Sequence, residues 1–411
     1  MSDVPRFSPT RPLTLGIVTD EHLGLAESRK GGFGWASQQV GRFFLEHPEL
    51  GVNPVVLNCE RTHGRAMPAE IEGVPAIWRR GGRLATFDRK GRRFDLLLFI
   101  DYRPNYRIAF LQWPRTTAIV WVRDPWGPDE HADLRSLRLP GQPEVQPQGV
   151  IPPDHRSMRQ MWQLSRWTRR KLLLGTTASF LRRRVPGAYD LPTSIEVPIL
   201  PNLLTLRGDD VPKSARPSAL FLARMDPVKR PWLFIELARD FPEVDFVVAG
   251  KNHFTGAGSW QPENIPANVK FLGHIDGEEK RRAIASAWVL INTSIHEGLP
   301  VSVQEALACG VPLLSTLDPE ETASRFGIFV GKHGGDGAEA LPALRAGLKR
   351  LLENHEERRR LGEAGRAWVT AVHNPAAFFA SFRELCRHAG RPLEVTALAS
   401  ENEAASALAR T

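Results

Sequence analysis

"WVLINTSIHEGLPVSVQEALACGVPLLST", residues 288–316, reads as one unit of a parallel sheet. Its ends, 288–294 and 311–316, are short apolar runs of strand type. Between them the spacing predicts a helix with Pro300 in its first turn, where proline's missing N–H costs nothing. The loop before that helix then sits at the carboxyl end of a strand, the edge at which open α/β sheets bind ligands. Glu297 lies in this loop and Glu305 on the helix, with seven residues between them. The N–H groups of Gly298, Leu299 and Val301 would be left unpaired, ready for an anion or for hydroxyl oxygens. Glycine at 298 would also let a ligand approach the backbone closely. Glu305, among Val301, Val303, Ala306, Leu307 and Ala308, is costly to bury, but helical side chains lean back toward the N-terminus and could bring it to the same crevice. A second reading pairs Glu305 with a core arginine and leaves Glu297 as a helix cap. Spacing alone leaves both open.

The same alternation runs outward in both directions. In the second half, 218–223, 245–250 and 268–273 read as strands, with helices opening at Pro231 and over 278–287. In the first half the strands are 13–19, 53–59, 94–100, 117–122 and 172–177. Short apolar strands separated by helices predict parallel sheets covered on both faces. The organisation expected is a first Rossmann-like domain over 1–204, with a loop or insertion at 125–155 rich in Pro, Gln and Asp. A polar hinge at 205–217 follows, then a second Rossmann-like domain over 218–373. Residues 374–390 read as a C-terminal helix stopping at Gly390, and 391–411 as a frayed tail. The fold class is thus α/β, two doubly wound parallel-sheet domains facing a cleft.

Composition narrows the class. In 411 residues, 42% are hydrophobic and 24% charged, as in ordinary globular proteins. Cys59, Cys309 and Cys386 are scattered, without metal spacing or an even disulfide framework, which points to a reducing compartment. The start lacks an apolar signal core, and no apolar run approaches the ~18 residues of a membrane span, so a cytoplasmic protein is expected. The net charge of +8 lies wholly in residues 1–212, with 30 Lys+Arg against 22 Asp+Glu; residues 213–411 hold 24 of each. Such a surplus serves solubility or attracts phosphates, acidic sugars or anionic lipid. Nucleic acid is not expected, because no binding motif accompanies the charge.

A second cluster favours a shared site for the two glutamates. "ARMDPVKRP", 223–231, places Arg224 just past a strand and Lys229 five positions on. Two cations at that edge could clamp a diphosphate, Arg by a fork and Lys as a point charge. Together with the glutamates they describe one ligand, rich in hydroxyls at one end and doubly anionic in the middle. A nucleotide diphosphate-sugar (NDP-sugar) has that character.

These segments resemble a known family. "EGLPVSVQEALACGVPLLST" is similar to the Glu–seven–Glu signature of retaining glycosyltransferases of the GT-B fold, the large fourth family or group one. "LFLARMDPVKRP" is similar to its strand–Arg–x4–Lys segment. The likeness is strong over roughly 217–320 and weaker elsewhere, and it says little about the acceptor. It implies that Arg224 and Lys229 neutralise the leaving diphosphate. Glu297 would hold donor-sugar hydroxyls beside the backbone of Gly298, Leu299 and Pro300, and Glu305 the ribose. The family's glycine-rich loop across the cleft corresponds to Gly31 and Gly32. These precede a helix whose N–H groups could face phosphate, but they lie too far past the strand to be a dinucleotide fingerprint. The final helix of the family crosses back to the first domain.

The clearest departure is at "IVWVRDPWG", 119–127, where the family has a His-Asp pair near the transferred sugar and this chain has Arg123-Asp124. An arginine could bind a hydroxyl or an acidic acceptor but cannot give up its proton. Ala223 and the Pro-Asn-Leu-Leu at 201–204 are smaller departures. His22, His253 and His296 have no metal-type partners, so no metal or other cofactor is expected. Residues 156–175 carry basic residues interleaved with Trp162 and Trp167, the pattern of either a membrane-surface helix or a helix packed on the sheet. The function expected is retaining transfer of a sugar from an NDP-sugar to a hydroxyl on a sugar, lipid-linked or small-molecule acceptor. An NDP-sugar epimerase of the same fold, or a binding protein without turnover, are the alternatives.

Overall fold

The computed structural model describes residues 11–21, 31–61, 67–80, 86–88, 91–147, 155–254 and 259–394. The expectations for His22 and for 395–411 of the tail lie outside these residues.

The first sheet holds β1 (Leu13–Thr19), β2 (Val52–Arg61), β3 (Glu70–Ile71), β4 (Val74–Arg79), β5 (Leu96–Ile100), β6 (Thr117–Val122) and β7 (Leu172–Thr176). Their spatial order is β3-β4-β2-β1-β5-β6-β7, and every pairing is parallel except the short β3–β4 hairpin. All five residues of β5, "LLLFI", are buried, since helices cover both faces and no alternation is required. The helices of this half are α1 (Gly32–Glu46), α2 (Arg107–Gln112), α3 (Pro128–Ser136), α4 (His155–Trp167) and α5 (Ser179–Ala188).

The second sheet holds β8 (Ser218–Leu222), β9 (Asp245–Ala249), β10 (Val269–Gly273), β11 (Val289–Asn292), β12 (Leu313–Ser315) and β13 (Gly327–Phe329). It is parallel throughout, in the order β10-β9-β8-β11-β12-β13. Its helices are α6 (Pro231–Ala238), α7 (Gly277–Ser286), α8 (Val301–Ala308), α9 (Thr322–Phe326), α10 (Leu341–Glu353), α11 (His355–Val372) and α12 (Pro375–His388). Strand order reverses at β1/β5 in the first sheet and at β8/β11 in the second. Adjacent crossovers leave such a switch point on opposite faces, which opens a crevice at the carboxyl ends of the strands.

The last helix returns to the first sheet. Asn374 caps α12 by accepting from Ala377 N, and Phe378 lies 5.8 Å from Trp121 of β6 and 5.9 Å from Phe43 of α1. Phe382 lies 5.1 Å from Phe44, and both rings are fully buried. Truncating such a phenylalanine typically costs about 3–5 kcal/mol, so α12 is a strong tie between the halves.

Three local readings change. The stretch expected as a loop at 125–155 contains α3, closed at its start by Glu130 Oε2 accepting from Gly127 N at 2.7 Å. Leu134, Leu137 and Leu139 of this segment belong to the second half's core, with Phe221, Trp232 and Leu314. Pro300 is the cap residue before α8 rather than part of its first turn, with an extended ψ of 132°. Strands β3 and β13, two and three residues long, carry too few positions to show a period in the sequence.

Candidate active site between the sheets

The loops after β8 and β11 flank the second switch point and carry the predicted residues. Past β8, Asp226 accepts from Lys229 N at 3.1 Å and shapes a single helical turn over Pro227–Lys229. Arg224 lies 3.3 Å from Asp226 and stays 44% exposed, at the open rim. Lys229 instead turns inward, its Nζ 2.6 Å from Glu297 Oε1. Ser294 Oγ donates to the same oxygen at 2.7 Å. Both charges of the pair are largely buried, and Glu297 Oε2 has no hydrogen bond among the described residues. The cluster thus presents one ordered carboxylate oxygen, one ammonium and one exposed guanidinium at the mouth of the crevice.

Glu305 lies deeper, on α8, and meets Lys280 of α7 at 2.8 Å. Its partner is a lysine rather than the arginine weighed from the sequence. Burial pushes the Glu305 carboxyl up from its ordinary value, against the pull of Lys280. The two glutamates therefore each keep a cation of their own.

Gly298 is required for a different contact from the one expected. A Cβ there would fall 2.3 Å from the carbonyl oxygen of Arg123, so it is the backbone of the opposite half that approaches it. Leu299 is buried with Ala178 and Leu181 of the first half. No hydrogen bond reaches the N–H of Gly298, Leu299 or Val301 among the described residues.

Across the cleft the N-terminus of α1 faces α8, a Cβ on Gly32 falling 3.6 Å from Val301. Two of the N–H groups at this end are already taken, while those of Gly32 and Phe33 have no hydrogen bond among the described residues. Glu21 Oε2 accepts from Gly31 N at 3.0 Å and from Gly34 N at 3.2 Å. Arg103 holds that carboxylate at 2.9 Å and reaches Asp20 at 3.2 Å, and Tyr106 donates to Asp20 at 2.8 Å. This network fills the β1/β5 switch point. It escapes the sequence because Glu21 caps a helix ten residues downstream, beyond any local capping pattern.

Arg123 also differs from expectation. Its guanidinium donates to Asn202 Oδ1 at 2.7 Å and lies 4.5 Å over the Trp121 ring. Asn202 continues to Gln304 of α8 at 3.0 Å, and its N–H donates to His373 Nδ1 at 3.1 Å. Burial lowers Arg123 to about 10, opposed by Asp101, and burial followed by Arg123 lowers His373 to about 4. The residue at the seam is instead Asp124, 2.8 Å from His296 Nε2, with Trp126 Nε1 donating to its other oxygen at 3.0 Å. Burial would raise Asp124, but His296 and the two hydrogen bonds bring it down to about 2. A histidine thus does face an aspartate at this seam, supplied from the opposite loop. The sequence hides the pair because its members are 172 positions apart.

Beside the pair a cavity of about 460 Å³ opens between α5 and the loops after β11 and β12, lined by His296, Glu297, Ser179, Arg183, Arg184 and Glu320 among others. Glu320 bridges it, accepting from Ser179 N at 3.1 Å, Ser179 Oγ at 2.7 Å and Phe180 N at 3.0 Å. Among the described residues there is no cluster of three or more metal-type ligands, and no helix is long and apolar enough to cross a membrane.

Two facing doubly wound domains with the site in the cleft between them define the GT-B fold. Residues 206–368 match the family model of glycosyl transferases group 1. Sucrose-phosphate synthase from Thermosynechococcus elongatus superposes with a TM-score of 0.66 over 92% of this chain and 98% of its own, at 14% identity. HepE from Anabaena, solved with UDP and glucose, superposes with a TM-score of 0.62 over 92% of this chain and all of its own, at 12% identity. Among curated relatives, a GDP-mannose-dependent monoacylated alpha-(1-6)-phosphatidylinositol monomannoside mannosyltransferase from Corynebacterium glutamicum is 27% identical over 140 residues, 32% of this chain. An alpha-galactosylglucosyldiacylglycerol synthase from Streptococcus pneumoniae is 31% identical over 87 residues, 20% of this chain. These matches span only 35% and 23% of the relatives' own lengths.

Proposed function

We propose that the protein is a retaining glycosyltransferase that moves a sugar from an NDP-sugar to a hydroxyl acceptor, without a required metal. The observation that carries the reading is the convergence of Lys229, Ser294 and Glu297 at the β8/β11 switch point, with Arg224 at its rim. Glu297 Oε2 would accept from donor-sugar hydroxyls, Arg224 and Lys229 would face the diphosphate, and Glu305 would take the ribose. Gly31 and Gly32 would close the cleft from the far side. Arg123 is assigned to orienting the seam through Asn202 and Gln304, and Asp124 with His296 to the wall nearest the transferred sugar.

The course proposed is front-face displacement. The bond from the anomeric carbon to the diphosphate oxygen breaks, the acceptor oxygen bonds on the same face, and its proton passes to the leaving phosphate. The protein's contribution is electrostatic, cations preset where negative charge develops. Solved fold neighbours contain UDP or UDP-glucose, and the two curated relatives are named for glycolipids, one as product and one as acceptor. A role in polysaccharide, glycolipid or glycoconjugate synthesis is consistent with both. The test is incubation with UDP-, GDP- and ADP-sugars and an acceptor panel, with the anomeric proton of donor and product read by NMR. Retained configuration is expected, and loss of turnover in Lys229→Ala and Glu297→Ala. Inverted product would refute the retaining course, and conversion of the donor without any acceptor would identify an epimerase.

A further inference from the structure

Residues 107–116 and 155–171 contain eight Lys and Arg and no Asp or Glu. The structure brings the two stretches onto one surface. Arg170, just past α4, lies against the end of α2, its Nη1 donating to Phe110 O at 2.5 Å and its Nε to Thr116 O at 2.6 Å. Its guanidinium sits 3.6 Å over the Phe110 ring. Met158 and Met161 turn inward and fix the buried face of α4, so the sheet-packing reading holds for that face. The other face is not satisfied by it. Trp167 is 83% exposed and Leu111 56% exposed, the two most exposed large apolar side chains among the described residues. Around them, Arg107, Arg115, Arg166 and Arg169 have no carboxylate partner among the described residues, Arg166 lying 5.1 Å over the Trp162 ring.

Arginines without carboxylate partners thus surround an exposed tryptophan and leucine on a surface outside the crevice residues described above. We propose that the α2–α4 surface docks on an anionic phospholipid bilayer. Tryptophan suits the boundary between headgroups and acyl chains, with its ring in the apolar layer and its N–H in the wet one. Arginines at the same level are drawn to a negative leaflet over about a Debye length, so the attachment is reversible and weakens with salt. Charge complementarity selects this occupant, because a neutral protein partner would leave the cations unpaired and desolvated.

The test needs no donor or acceptor and so stands apart from the glycosyltransferase reading. The full chain is sedimented with vesicles of phosphatidylcholine, with and without one-third phosphatidylglycerol. Binding is expected to the anionic vesicles only and to fall steeply with added salt. Trp167→Ala, and separately Arg166→Glu with Arg169→Glu, should each lower the partition coefficient at least tenfold. All three positions are exposed, so melting temperatures should match wild type, which separates lost docking from lost folding. Failure of the wild type to bind anionic vesicles overturns the proposal. So does binding that survives Trp167→Ala but not the charge reversal, since that marks a general polyanion surface such as one for nucleic acid.

Discussion

Substituting Gly298 by alanine tests how closely the two halves meet. The added Cβ would stand 2.3 Å from the Arg123 carbonyl oxygen, where ordinary contact begins near 3.4 Å, so the backbones must part by about 1.1 Å. Overpacking inside a rigid core typically costs 1–3 kcal/mol. Here the obstructing atom is backbone on the opposite sheet, so relief comes by opening the seam, and the cost should fall near 1 kcal/mol. At about 2–4 °C per kcal/mol, the melting temperature should drop by only a few degrees. Opening by that amount displaces Asp124 from His296 and the first half from the crevice, and misplacement by 1 Å can cost about a hundredfold in rate. The assay is turnover with the donor found by screening, alongside differential scanning calorimetry. A hundredfold slower enzyme with a nearly unchanged melting temperature is expected. Full activity with unchanged stability would refute the close approach.

Other perturbations separate the remaining contacts. Lys280→Met should destabilise by about 3–5 kcal/mol by leaving Glu305 buried without its cation, and Lys280→Met with Glu305→Leu should recover most of that in denaturant titrations. Burial, then Asp124, raises Asp101 to about 7. The folded state therefore binds the proton more tightly, and stability should decline from pH about 4 to about 7. Asp101→Asn should flatten that decline in pH-dependent melts. Asp124, held at about 2, should contribute about 2 kcal/mol above pH about 4 and lose it as pH falls toward 2. An acid limb unchanged in Asp124→Asn would count against the pair with His296.

Much of this was legible in the sequence, and what was not has a physical reason. Strand runs such as 96–100 and 117–122 are buried on both faces, so local composition is enough to mark them. The loops carrying Arg224, Lys229 and Glu297 follow from strand ends, and adjacency at the switch point follows from strand order. Partner choice does not. Glu305 could have met any cation, and Lys280 is selected by how α7 packs beside α8. Glu21 at the start of α1, Leu137 in the far core and His296 against Asp124 are all contacts between segments distant in the chain. Arg123 shows the same limit from the other side. Its position in the motif is that of a cleft residue, yet its side chain is buried over Trp121 and bonded to Asn202.

Donor binding tests the central claim most directly. Melting temperatures should be recorded with UDP-, GDP- and ADP-sugars at millimolar concentration, for wild type and for Lys229→Ala and Glu297→Gln. A ligand at a hundred times its Kd stabilises by about 2.7 kcal/mol, several degrees for a chain of this size. One sugar nucleotide should raise the wild-type melting temperature by that amount and neither variant's by more than a fraction of it. No shift with any of them, or an equal shift in all three proteins, would contradict a donor site built on Lys229 and Glu297.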